Sequence, residues 1–448
     1  MKKKVKRFLS WRFYEIVLFF LVFLVISFFY FSDLEKKQMH SDEHSWIYRG
    51  IIGFDLYFMK RDFKNPLWQE YFGYDQPKLG EFIYGAFNWG MYGKDTNNVL
   101  QKTDFTQGLK ENDLRKFWSK GLWWIDYEGE NQLSKIPEKW KDAYMIKVKN
   151  RYVGVLFGLG VFVWVFLIGR LISGYWVGLI SMILLAQNSL VFKEFRFAMV
   201  DSILLFFIFG TIYWFMILRS KKFQDKRKRI LIVLLCGLFS GSAASVKLNG
   251  FMVLILIGLW QVLNYIYALF RGTTERLIKE MKLLGEVMVI SVINLLMFYI
   301  LNPYIWKNPI DKFFSMIIRR VNILKIFRYI FPEESYSSFW ESIRAIFGEI
   351  VWAGGEYNFF NNRSLQLIDV ILFILGLNYL IYFSFKKKDL VVKMFLFFFL
   401  GILVIMGNYL TINWERYFLP IMPFIAIIEG IGLVKTFNFV KKIKFIKN

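Results

Sequence analysis

The chain has one cysteine, Cys236, two histidines and eight prolines in 448 residues. A single thiol excludes an intramolecular disulfide framework. Two histidines leave little room for a His-rich metal centre. Scarce proline suits a chain that runs mostly in long helices. No phosphate-cradling glycine loop, zinc-finger spacing, Gly/Ser linker, internal repeat or low-complexity tract is found. The formal charge of +23 would point to nucleic acid in a soluble protein. Here no basic helix with a groove-reading face and no aromatic-and-basic sheet pattern accompanies it. Nucleic acid is therefore not expected as a partner.

What the chain has is apolar length. Hydrophobic residues make up 56%, aromatics 20%, and phenylalanine alone numbers 51. A bilayer core takes about 20 helical residues. Runs of suitable length lie near 13–31, 152–169, 173–191, 199–218, 230–246, 250–269, 284–301, 367–385, 391–410 and 417–434. The expected fold is thus an all-α polytopic membrane protein with about ten transmembrane helices, forming a single domain over 1–448. A tight turn is expected at Gly169-Arg170, and a second break at Val246-Lys247-Leu248-Asn249-Gly250.

The first run follows a basic start, Met1-Lys2-Lys3-Lys4-Val5-Lys6-Arg7, but is too long for a signal peptide and lacks a small-residue cleavage pattern. It reads as a retained helix with a cytoplasmic N-terminus. The stretch 219–229 carries seven basic residues in eleven, and 271–282, Lys386-Lys387-Lys388 and 441–447 are also basic. With ten passes all four fall on the cytoplasmic side, as the positive-inside rule requires. Two long outer loops follow, 32–151 and 302–366. Their mixed charges and aromatics, such as Phe117, Trp118, Tyr304 and Trp306, suit interfacial helices.

The first outer loop opens with His40-Ser41-Asp42-Glu43-His44. A carboxylate pair just past a membrane helix has two readings: a solvated helix cap, or a base that takes a proton from an attacking hydroxyl. His40 and His44, four apart, would share a divalent cation with those carboxylates or lie on the surface; metal dependence stays open. Further on, Tyr74-Asp75-Gln76-Pro77-Lys78-Leu79-Gly80 introduces an amphipathic helix.

In this order the motifs resemble those of the GT-C glycosyltransferases of family 39, which include protein O-mannosyltransferases and lipid A aminoarabinose transferases. There an Asp-Glu pair follows the first helix, and a Pro-Leu-Gly stretch closes the loop. Lys193-Glu194-Phe195-Arg196-Phe197-Ala198-Met199-Val200-Asp201 is similar to the family's Arg-x-Ala-x-x-Asp element. Lys247-Leu248-Asn249-Gly250 resembles its Lys-x-x-Gly turn, and Trp414-Glu415-Arg416-Tyr417-Phe418-Leu419-Pro420 its late Arg-Tyr-x-x-Pro start. Gln76 departs from the pattern, and residues 92–150 have no counterpart.

The resemblance implies a sugar donor on a polyprenyl phosphate and transfer with inversion to a protein, glycolipid or envelope polymer. Asp42 would be the general base, with Glu43 beside it in the acceptor site. Lys78, Lys193, Arg196, Lys247 and Arg416 would bind the donor phosphate, against the plainer reading of snorkelling side chains. Asp201 would be the structural partner of Arg196. The expected location is the plasma membrane, with the site on its extracytoplasmic face. Direct use of a nucleotide sugar is unsupported, since no phosphate-binding loop is found.

Two other motifs are set aside: Trp123-Trp124-Ile125-Asp126-Tyr127-Glu128-Gly129 as an interfacial anchor, and Asn362-Arg363-Ser364 as a chance sequon. The competing class is a lipid or sugar transporter or flippase, which would show repeated halves and mid-membrane charges. A non-catalytic envelope scaffold is a third reading.

Overall fold

The computed structural model describes residues 12–37, 40–93, 138–220, 225–348, 363–410 and 412–447. The Trp123-Trp124 stretch and Asn362 lie outside them. Among the described residues the chain is helical throughout, with one isolated antiparallel bridge, Ser335 to Ile412.

The bundle begins with α1 (Phe13–Phe31), whose Phe20, Leu24 and Phe28 face outward while Phe19, Ile26 and Tyr30 pack inward. Outward phenylalanines on a helix of this length are stable only against lipid. Two helices between the first two long passes follow, α2 (Ser41–Phe54) and α3 (Leu79–Tyr92). Helix α4 (Glu138–Ser173) then runs 36 residues, about 54 Å at the α-helical rise, so it overshoots the bilayer. Its uninterrupted apolar stretch begins only after Arg151. The turn expected at Gly169-Arg170 falls instead at Gly174, where φ is +101°, a conformation that glycine alone adopts without strain.

The third expected pass is broken. It comprises α5 (Tyr175–Gln187), then a kink at Asn188, then α6 (Ser189–Glu194). Asn188 caps α6 by accepting from the Val191 N–H, which satisfies a helix-start donor at the kink. Tyr175 Oη donates to Glu15 O in the first turn of α1, and Arg196 donates to Ser32 O just past its last turn. The segment over 175–191 therefore traverses the same depth as α1. With the nine helices among the described residues that are long and apolar enough to span, it restores the expected ten passes.

Helix α7 (Val200–Ser220) is the most buried span, packed among α4, α8 (Lys226–Val246) and the later helices. The rest are α9 (Phe251–Arg271), α10 (Thr274–Ile300), α11 (Pro309–Ile330), α12 (Phe339–Phe347), α13 (Arg363–Lys386), α14 (Leu390–Tyr409) and α15 (Met422–Lys447). A single hydrophobic cluster extends from Phe19 to Ile431. Where α13 meets α15, a Cβ at Gly376 would lie 1.9 Å from Ile428 O, so the backbones touch and only glycine fits. Helices α11 and α12 lie between the passes α10 and α13. Helix α11 shows Ile310, Phe314 and Ile318 on its outer face, as an interfacial helix does.

Candidate active site

The end of the bundle where α1 finishes gathers the charged residues. Helix α2 begins there with a reciprocal cap: His40 Nδ1 accepts from the Asp42 N–H at 3.1 Å, and Glu43 Oε2 accepts from the His40 N–H at 3.0 Å. Glu43 is fully buried. Its Oε1 also accepts from Arg151 Nε and from the Ala198 N–H, both at 2.8 Å, and its Oε2 accepts from Arg151 Nη2 at 2.9 Å. Four donors occupy its two oxygens, so Glu43 ties α2 to α4 and to the segment before α7. A bidentate buried guanidinium pair of this kind costs several kcal/mol to break from one side. Arg151 was not singled out in the sequence, where it sits among loop-like charges after Lys147 and Lys149.

Asp42, one residue earlier, faces the other way and is less than half exposed. Its Oδ2 lies 2.5 Å from Arg416 Nη1. Burial pushes the Asp42 carboxyl up, but Arg416 and His40 pull it further down, so it lies below the ordinary carboxylate range. His40 is held below the ordinary imidazole value by burial and by Arg416. At neutral pH the pair is an ionised carboxylate beside a neutral imidazole whose Nδ1 already serves the cap. Among the described residues no group of three or more His, Cys, Asp or Glu converges as a cation would require; the His44 side chain is not among those described.

Three of the five basic residues expected at a phosphate take other partners. Lys78 is fully buried, its Nζ 2.9 Å from both Glu81 oxygens and also bonded to Phe72 O. Its backbone N–H donates to Asn302 Oδ1 at 2.9 Å. Lys78 thus locks α3 to its neighbours. Lys193 pairs with Glu415 at 2.6 Å. Arg196 packs over the Phe192 ring, 4.4 Å from its centroid, while bonding to Ser32 O. Asp201 does not serve Arg196 as expected: it pairs with Lys247 at 2.7 Å. The reason is the helix break: Arg196 lies before α7 and turns back toward α1, whereas Asp201 in its first turn faces the 247–250 turn.

Lys247 and Arg416 do converge. Both line a cavity of about 640 Å³ whose remaining wall is largely apolar, from Leu204, Met252, Ile255, Ile405 and Met406. Helix α11 closes one side with Phe313, Ile317, Arg320, Val321 and Leu324, a repeat of three and four that presents one helix face. Arg320 is the third cation of the wall, which it shares with Tyr409 and Tyr417. Burial lowers its proton affinity, but Tyr409 and Tyr417 beside it more than offset that. The C-terminal end of α11 is held on the Arg416 segment: Phe327 and Phe331 pack on Trp414, and the Asn413 N–H donates to Glu334 O at 2.8 Å. An oily cavity with cations in its wall accommodates an amphiphile with an anionic head.

The fold is similar to those of several solved membrane proteins, and part of the chain matches one family model. Residues 114–308 match the family of dolichyl-phosphate-mannose-protein mannosyltransferases. The fold resembles that of ArnT from Cupriavidus metallidurans in the apo state, with 14% identity, TM-score 0.51, and 93% of this chain and 59% of that chain covered. The same protein bound to undecaprenyl phosphate gives TM-score 0.51 at 14% identity, covering 93% and 60%. The archaeal oligosaccharyltransferase AglB from Archaeoglobus fulgidus, in complex with an inhibitory peptide and a dolichol-phosphate, gives TM-score 0.56 at 12% identity, covering 98% and 52%. The chain therefore spans little more than half the length of these proteins. No curated protein matches it in sequence.

Proposed function

We propose that the chain is a membrane glycosyltransferase that moves a sugar from a polyprenyl-phosphate carrier to an acceptor hydroxyl on the extracytoplasmic face of the plasma membrane. The observation that carries this reading is the double placement of Arg416, which touches Asp42 and lines the apolar cavity with Lys247 and Arg320. The prenyl chain would occupy the apolar wall and the phosphate the three cations. The carriers named for the structural neighbours, undecaprenyl phosphate and dolichol-phosphate, belong to the same chemical class.

In the reaction, Asp42 accepts the proton of the acceptor hydroxyl. The oxygen attacks the anomeric carbon from the face opposite the phosphate, the glycosidic C–O bond to phosphate breaks, and the polyprenyl phosphate leaves with the bonding pair. Inversion follows from that geometry. Negative charge growing on the leaving oxygen is met by Arg416, Lys247 and Arg320, which are in place before it develops. A phosphate also competes with Asp42 for Arg416. Donor binding thus loosens the ion pair that depresses Asp42, and raises the basicity of the carboxylate when it is needed. Glu43 acts at one remove, by fixing the helix that carries Asp42.

The test is sugar transfer in proteoliposomes with labelled polyprenyl-phosphate mannose, glucose or aminoarabinose and an envelope acceptor fraction. Carrier-dependent labelling that is lost in Asp42→Asn supports the assignment. Labelling undiminished in that variant removes Asp42 as the base.

A further inference from the structure

Asp201 is the one carboxylate in the cavity wall among the described residues, and the proposed reaction gives it no task beyond its ion pair. It lies in the first turn of α7, where the helix dipole favours a negative charge, and its Oδ1 accepts from Lys247 Nζ at 2.7 Å. Both roles draw on its charge and on one oxygen. The other oxygen, Oδ2, is buried and accepts no hydrogen bond among the described residues, on a residue only 8% exposed.

That arrangement is costly in two ways. A buried carboxylate oxygen without a donor has lost its hydration and gained nothing in return. A negative charge in a wall that receives an anionic head also repels the head. A phosphodiester, which has no hydrogen to donate at neutral pH, relieves neither cost, and nor does a prenyl chain. A sugar does, because it brings hydroxyl or ammonium donors.

Position supports the same reading. Arg416 touches Asp42 and is within electrostatic reach of Asp201, which Lys247 holds directly. In an in-line displacement the transferred sugar lies between the base and the leaving phosphate, hence between Asp42 and the cations. Asp201 stands at that junction. A turn of its carboxylate about Cβ–Cγ, a soft torsion, exchanges the two oxygens. The Lys247 ammonium, with three rotatable donors, can stay on one of them while the other turns to the cavity.

We propose that Asp201 reads the transferred sugar: its second oxygen accepts a hydrogen bond from a hydroxyl or ammonium group of that sugar. The inference rests on the lipid-phosphate reading of the cavity. It commits the donor to a neutral or cationic sugar, since a uronate would set two carboxylates together. A donor without the recognised group leaves the oxygen unpaired and is rejected far more strongly than an apolar pocket would reject it.

The test is donor binding in nanodiscs, measured by calorimetry, so that no acceptor is needed. The probes are undecaprenyl methyl phosphate, which has the charge and the chain but no sugar, and undecaprenyl phosphate carrying mannose, glucose or aminoarabinose. Wild type should bind at least one glycosylated probe about tenfold or more tighter than the methyl diester. Asp201→Asn keeps the shape and an acceptor for Lys247 but removes the charge. It should bind the methyl diester as tightly as wild type or tighter, and lose most of the preference for the sugar. A preference confined to aminoarabinose assigns an ammonium, and one that includes mannose or glucose assigns a hydroxyl. Lys247→Met, which removes the cation, should weaken all four probes alike. If Asp201→Asn does the same, Asp201 only holds Lys247 and the proposal is overturned. It is overturned too if wild type binds the methyl diester as tightly as every glycosylated probe. No binding of any probe by wild type overturns the lipid-phosphate reading itself, and this inference with it.

Discussion

Arg416 and Asp42 lie 374 residues apart in the chain and 2.5 Å apart in space. That ion pair joins the start of α2 to the segment just before α15, and its Arg416 lines the cavity. Arg416→Gln should therefore do two things at once. It removes a cation from the cavity wall, for which, on the proposed function, a loss of about 100-fold or more in kcat/KM is expected. It also releases Asp42 from the interaction that holds its carboxyl down. The acid limb of the pH–rate profile should then move to higher pH in the variant, since protonation of Asp42 abolishes the base. A profile that keeps its limb in place would separate Arg416 from Asp42 in function. The same pair sets a stability term: a depressed carboxyl contributes stability above its unfolded value, and this is lost as pH falls through the folded one. Acid unfolding of wild type should accordingly begin lower than that of Arg416→Gln.

Glu43 next to it should behave differently. All four of its contacts are internal, and Arg151 has no water to fall back on. Glu43→Ala should lower stability by about 3–5 kcal/mol, the usual penalty for stranding one member of a buried pair. Thermal unfolding in detergent reads that loss. Activity per folded molecule at low temperature should fall much less than in Asp42→Asn. An equal loss in both variants, with unchanged stability in Glu43→Ala, would place Glu43 in the chemistry instead.

Lys78 offers a contrast between sequence and structure that can be measured. Its ammonium is spent on Glu81 and Phe72 O inside the protein. Lys78→Ala should destabilise strongly by leaving Glu81 buried without its partner. Lys78→Met combined with Glu81→Leu should recover most of the stability, because apolar replacement of a whole buried pair is commonly neutral or better. If the double variant is stable and active, Lys78 is not a phosphate ligand. If it is stable with donor KM raised at least about tenfold, the sequence-based assignment stands.

The legibility of the sequence follows the same division. Helix passes, the break before α7 and the alignment of motifs at one end could be read, because lipid enforces long apolar runs and charge at their ends. Asp42, Lys247 and Arg416 could be read for a related reason: each is a charge just beyond a pass, where a side chain must find water, a partner or a ligand. Which of those it finds is decided by tertiary geometry. Lys78 and Lys247 look alike in sequence, yet one is sealed against Glu81 while the other reaches the cavity. Arg151 was hidden because α4 starts well before its apolar part, so a helical residue passed for a loop charge. Asp201 was assigned to the nearest arginine in sequence, whereas the break before α7 turns the two apart.

Arg320 was hidden for another reason. It lies in Arg319-Arg320 on an amphipathic helix outside every motif, where two adjacent cations read as a solvated face. Adjacent helical residues point about 100° apart, and the structure sends them to different tasks. Arg319 stacks over the Tyr74 ring, 4.0 Å from its centroid, while Arg320 lines the cavity with Tyr409. If Arg320 holds the donor's head group in the ground state as well as in the transition state, its loss is a binding defect. Arg320→Gln should raise donor KM about tenfold or more with a smaller change in kcat, in line with 1.5–3 kcal/mol for a hydrogen bond to a charged group. Arg319→Gln should leave donor KM within about twofold, as expected for a contact that never reaches the ligand. Tyr409→Phe removes only a hydroxyl of the same cavity wall, and should cost at most about fivefold. Steady-state kinetics with the donor varied at saturating acceptor would resolve the three. Equal effects at positions 319 and 320 would mean that α11 contributes bulk positive charge rather than one placed guanidinium.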